Sequence, residues 1–400
     1  MVLFADLLSG STWPFGGASW PAVEPAKWYD ISRSAIAMVG LVGLGGGAII
    51  AYRRQRVTEY RQDLEQQRHD FEVNKYSDSG SADLHARFES AAEQLGHEKA
   101  AVRLAGVYSM VAVSEGWLAR GDKRQQRVCV DVLCAYLRMP YDPDTASQGE
   151  KEVRLTLLSI LRQKLLSEED PATWCRIPLD FTGATFDGGS LSGARFFSTV
   201  KFDSAKFAGN GLSFDAATFL AGQVSFARAR FIEGTVSFSK AKFSGGFVDF
   251  GSAALRGGVV SFHGAELKSE RLSFMRTSID GGGIEFTQMQ FLGGRAEFRL
   301  LHDRGFVTFD EATFAGGEVD FDSSKFQGGS IRFRDSAFNG TSVDLSKVII
   351  REGSQFDFER PSSWNVPPIV PWGDGPVSLR SDVYPEVWPP VVGSFSPSQS

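Results

Sequence analysis

Residues 223–262 read QVSFARARFIEGTVSFSKAKFSGGFVDFGSAALRGGVVSF. Phe226, Phe238, Phe250 and Phe262 stand twelve apart, and Phe231, Phe243 and Leu255 keep the same period five residues later. The first series begins at Phe202 and runs to Phe298, then resumes after an eleven-residue step at Phe309, Phe321, Phe333 and Leu345. The second runs from Phe207 to Phe291 and resumes at Phe314, Phe326, Phe338 and Ile350. A register held over so many cycles means a solenoid.

Two residues before each large one stands a small or β-branched residue, such as Val224, Val236, Ala229 or Ala241. Over these triplets the alternation is that of a strand with both residues turned inward. The intervening Ser225, Arg230, Ser237 and Lys242 are polar and point out. Glycines in phase, among them Gly222, Gly234, Gly246, Gly258, Gly282 and Gly294, mark a corner that needs positive φ or close backbone approach. Composition agrees: the chain has 33 Phe against 8 Tyr and 8 Trp, with 43 Gly.

Upstream, Leu179-Asp-Phe181-Thr-Gly, Ala184-Thr-Phe186-Asp-Gly, Gly189-Ser-Leu191-Ser-Gly and Ala194-Arg-Phe196-Phe-Ser divide into fives. This pattern resembles the pentapeptide-repeat family, with its central Leu or Phe and a small residue two before it. The resemblance implies a right-handed quadrilateral β-helix over 179–350, with twenty residues per coil for the opening fives. Two twelve-residue units would make a four-sided coil of twenty-four, giving about seven coils and roughly 35 Å of length at ~4.8 Å per coil. The break near Leu301–Gly305 is expected to be a bulge or irregular corner.

Working toward the N-terminus, helical periodicity covers 83–170, in four segments. Leu84, Phe88, Ala91, Ala92 and Leu95 line the first, ended by Gly96; the second stops near Gly116, the third at Pro140 and the fourth near Pro171. They predict a small α-helical bundle or armadillo-like domain. Residues 53–76 are densely charged and read as a juxtamembrane helix, with Val57, Tyr60, Leu64 and Phe71 suited to a short coiled coil.

Residues 34–52, SAIAMVGLVGLGGGAIIAY, carry no charge and are long enough for a single-pass transmembrane helix. Arg53, Arg54 and Arg56 follow directly. The positive-inside rule places 1–33 outside the cytoplasm and the C-terminal domains within it, at the cell membrane. Gly43 and Gly47 form a GxxxG face through which two copies would associate. Residues 351–400, rich in Pro and Trp, are expected to form a C-terminal cap or tail. The Arg-rich exit, AAEQLGHEKAAVRLAGVYSM, VCVDVLCAYLRMPYDP and the Phe-rich repeats together resemble a group of membrane-anchored actinobacterial pentapeptide-repeat proteins.

Chemistry finds little purchase. Cys129, Cys134 and Cys175 form no CxxC pair, and the five histidines are scattered without metal-ligand spacing. No catalytic, cofactor-binding or metal site is assigned, and no cofactor is expected. His263 and His302 are expected at surface or corner positions, and Cys129 and Cys134 in or near the core. Soluble members of the resembled family mimic DNA with an acidic rod and protect topoisomerases. Here 179–350 holds 19 acidic and 18 basic side chains, too balanced for a sustained negative field. No nucleic-acid partner is expected. The reading is a non-enzymatic membrane-tethered scaffold that presents its β-helix to a cytoplasmic protein, touching lipid through one helix.

Overall fold

The computed structural model describes residues 55, 65–66, 80–167, 169–170, 173–372, 383–385, 389–390 and 392. The expected span 34–52, with Gly43 and Gly47, and nearly all of 53–76 lie outside the described residues. Among those described, no helix is long and apolar enough to cross a membrane. Residues Leu84–Ser400 form one compact unit, a few helices followed by a β-solenoid of about eight turns.

Each coil turns through four short parallel strands. Val224 pairs with Val248, Phe231 with Leu255, Val236 with Val260 and Phe243 with Leu267, so one coil is twenty-four residues. Side one of the rod is typified by Val224–Phe226, side two by Ala229–Phe231, side three by Val236–Phe238 and side four by Ala241–Phe243. Alternate members of each sequence series therefore fall on opposite sides, and two series make four inward columns.

Those columns are the core. On side one, Phe202, Phe226, Phe250, Phe274, Phe298 and Phe321 stack with centroids 4.7–5.2 Å apart. On side three, Phe214 to Phe358 stack at 4.7–5.1 Å. Rings of the two sides meet edge to face, as Phe226 and Phe238 do at 5.6 Å and 89°. Both geometries suit the ring quadrupole, and each buried ring contributes roughly 1.5–3 kcal/mol by leaving water.

Corners of two kinds join the sides. After a side-one or side-three Phe the chain makes a turn closed by a bond such as Ala229 N–H to Phe226 O at 3.0 Å. Its third residue takes positive φ although it is rarely glycine: Arg228 (60°), Lys240 (57°), Ser252 (58°), Arg276 (61°). That is the type II turn, which favours glycine at this place. At the other corners the in-phase glycines act as expected at Gly222, Gly234 and Gly246, all with positive φ. Gly258 and Gly282 serve close approach instead: a Cβ on Gly282 would lie 2.4 Å from Gly258 O.

The coil count and sizes differ from expectation at both ends. The opening coil is not twenty residues: Leu179 pairs with Val200, making twenty-one, because Phe197-Ser-Thr199 gives the last corner an extra residue. Coiling also continues beyond Ile350. Ser363–Trp364 pairs with Ala337–Phe338, and Val383–Tyr384 with Phe356–Asp357.

The first coil rests on the helices, α1 (80–95), α2 (Ala100–Ala119), α3 (Lys123–Arg138) and α4 (Gln148–Lys164). Helix α2 does not stop at Gly116. Leu84 of α1 packs where a Cβ on Gly116 would lie, 2.7 Å away, and the helix ends at Gly121, whose φ is 78°. The N–H groups of Gly121 and Asp122 bond to Leu118 O and Trp117 O, the paired bonds of a Schellman ending. Asp122 then caps α3, accepting from Arg124 and Gln125 N–H, and Ser147 caps α4 through Glu150 N–H.

Helix α4 lies against the bare end of the solenoid. A Cβ on Gly189 would sit 2.6 Å from Leu158 Cδ1, so glycine admits the helix. Arg195 N–H bonds to Leu165 O and Phe197 N–H to Cys175 O, giving first-coil backbone groups the partners a lower coil would supply. Arg162 bonds to Ser192 O at 2.8 Å, and Arg138 pairs with Asp180 at 2.9 Å.

Candidate interaction surface

With inward residues committed to packing, chemistry is left to the outward column on each side, the corners and the helical end. On sides one and three of the lower coils the outward groups are mainly hydroxyls, several of them held by carboxylates of neighbouring coils. Ser225 donates to Asp203, Ser237 to Asp215, and Ser261 to Glu285 at 2.8 Å. In the upper coils arginines take over. Arg295 reaches Glu297 at 3.2 Å and Asp320 at 3.1 Å, while Arg271 bonds to Glu297. Arg334 bonds to Asp357, and Arg304 to Asp280 at 2.6 Å. The recurring Ser and Asp thus form structural ladders, not a nucleophile–base pair.

His302 is the one core position that sequence reading misplaced. It is fully buried, 0 % exposed, not at a surface or corner. His302 pairs with Ile279 below and Phe326 above, so it fills an inward anchor place in the side-two column. The reason is a one-residue deletion. Met275 pairs with Arg299 but Thr277 with Leu300, leaving Arg276 no counterpart, and the next twelve-residue step becomes eleven. Ser324 spans the gap, accepting from Leu300 N–H at 3.0 Å and donating to Phe298 O at 2.7 Å. The bulge expected at 301–305 is present as further register shifts around Asp280. A signal existed: His302 lies eleven after Phe291 and twelve before Phe314.

Neither His302 nitrogen finds a hydrogen-bond partner. Burial pushes its pKa down to about 4, against smaller opposite pulls from the Gly305 backbone and Asp303. The neutral ring meets the edge of Phe326 at 5.4 Å and behaves as a core residue. His263, by contrast, sits at a half-exposed corner, as expected.

The helical end holds one buried cation. Arg154 donates to Leu137 O and Met139 O at 3.0 Å and to Glu150 at 2.9 Å, with its guanidinium 4.2 Å over Tyr141. It satisfies the last carbonyls of α3, a capping role. All three cysteines are buried, and burial pushes the Cys129 thiol up to about 11 and Cys134 to about 12, far from reactive thiolates. Among the described residues no group of three His, Cys, Asp or Glu is placed to hold a metal ion.

Comparison with protein-family models, curated proteins and solved structures finds no match for this chain. The buried Phe columns in stacked coils are consistent with pentapeptide repeats, and the solenoid fold is of a kind typical of non-enzymatic repeat proteins.

Proposed function

We propose that this chain is a non-enzymatic interaction scaffold, tethered to the cell membrane through 34–52, that presents a rigid β-helix to a cytoplasmic protein. One observation carries the reading. Every inward position is spent on packing, while the outward columns form a regular surface of fixed spacing, ready for recognition and poor in convergent chemistry. The uncharged stretch ahead of Arg53, Arg54 and Arg56 supports the tether and its orientation, as in the membrane-anchored actinobacterial type that the sequence resembles. Interleaved acids and arginines in the upper coils speak against a DNA mimic, which needs an unbroken negative field.

The test is affinity purification of the full chain from membranes, beside variants with outward residues reversed in charge on one side at a time. One variant should lose a specific protein while keeping its circular dichroism. Recovery of the same proteins from every variant rejects the scaffold.

A further inference from the structure

Side two differs from the other three. Above Thr185 its outward column carries Lys206 and Arg230, passes the small Ala254 and Ser278, and ends with Leu301, Lys325 and Ile349, each paired in register with the next. Among the described residues it is the one side with no carboxylate in this column. Side one carries Asp249, Glu297 and Asp320; side three carries Glu285 and Asp357; side four carries Glu266.

The cations here are also unspent. Lys206 and Arg230 are stacked in adjacent strands, where like charges repel. Arg228, Arg256 and Arg276 stand at the corners of the same side. None of the five has an ion-pair partner among the described residues, whereas Arg271, Arg295 and Arg304 on neighbouring positions do. Of the acids at these corners, Asp203 accepts from Ser225, Glu233 from Gly209 N–H, Asp280 pairs with Arg304 and Asp322 with Arg299, while Asp303 stands beside Arg304. Exposed aliphatics share the face, with Ile232 44 %, Leu301 46 % and Ile349 49 % accessible.

We propose that side two docks on an anionic lipid surface. The cations would meet lipid phosphates, and Ile232, Leu301 and Ile349 would enter the boundary between headgroups and acyl chains. Charge complementarity selects the partner's sign, and shape selects its class. From Lys206 to Ile349 the column is a sheet side six coil steps long, roughly 29 Å at ~4.8 Å per step, carrying charged and aliphatic groups together. A basic face interspersed with exposed aliphatics is the composition of interfacial binding. Docking here lays the rod along the membrane and turns side four, opposite, toward the cytoplasm.

The test uses the full chain with an environment-sensitive fluorophore on Ser278→Cys, and Gln290→Cys on side four as control; the native thiols are buried. The protein is reconstituted in vesicles of phosphatidylcholine alone, or mixed equally with phosphatidylglycerol. Emission at Ser278→Cys should shift to the blue and rise severalfold in the anionic vesicles only, and not at Gln290→Cys. Lys206→Glu with Arg230→Glu should abolish the response, and neutralising a single cation should lower the docked-to-free ratio about fivefold. The proposal is overturned by an equal response in phosphatidylcholine, an equal response at Gln290→Cys, or no response to the anionic vesicles. It is equally overturned if soluble polyglutamate reproduces the signal without anionic lipid, since the occupant is then an acidic polypeptide.

Discussion

The lower coils, from Phe202 to Phe274, and the upper coils, from Phe298 to Phe358, are built to one plan and held by different secondary means. Below, each coil is twenty-four residues and serine hydroxyls meet carboxylates across coils. Above, one residue is missing, a histidine stands in the aromatic column, and arginine–carboxylate pairs bind coil to coil. The difference teaches that the aromatic stack sets the architecture, while the outer ladders are interchangeable. Sides one and three keep ring spacings near 5 Å through the deletion, because the irregularity is absorbed at the two corners that flank side two and in its column.

Four measurements would sharpen or break that contrast. The largest effect belongs to the lower stack. Phe250→Ala should cost about 3–5 kcal/mol in denaturant unfolding, since the ring is fully buried between Phe226 and Phe274. A loss under about 1 kcal/mol would mean that the stack does not govern the fold.

Next comes the upper defect. Burial lowers the His302 pKa from its ordinary 6.5 to about 4, so between those values the unfolded chain binds more protons. Its full stability is present above 6.5 and is lost as pH falls toward 4, by up to about 3 kcal/mol. His302→Phe should remove that part of the pH dependence, read as the difference between variant and parent unfolding curves at pH 7 and pH 4. Parallel pH profiles would show the ring to be solvated.

Smaller still is the lower outer ladder. Ser237→Ala deletes the donor to Asp215 and should cost about 1–2 kcal/mol, with faster amide exchange confined to the neighbouring coils. Least of all is the upper ladder: Arg295→Ala should cost under about 1 kcal/mol and lose its effect in high salt, because the guanidinium is half exposed. An Arg295→Ala loss that matches Phe250→Ala would invert the hierarchy.

The Phe register was legible because inward residues must recur with the coil, so packing writes its period into the chain. Phe226 and Phe238 needed no other clue. His302 was hidden because a deletion shifts the phase at the very position where the residue type also departs. The strained corners were hidden for another reason. Arg228 and Lys240 hold a conformation that sequence rules give to glycine, and the surrounding coils impose it. The role of α4 was out of reach too: its apolar stripe announced a buried face, but nothing in Leu158 names Gly189 as what covers it.

That closure has a consequence for how the molecule is made. The plugged end is the one synthesised first, so a chain leaving the ribosome brings out its foundation before its storeys. Each new coil then finds a finished floor about two dozen residues behind it, and no strand waits for a distant partner. Assembly is then vectorial, each coil laid on the one before it.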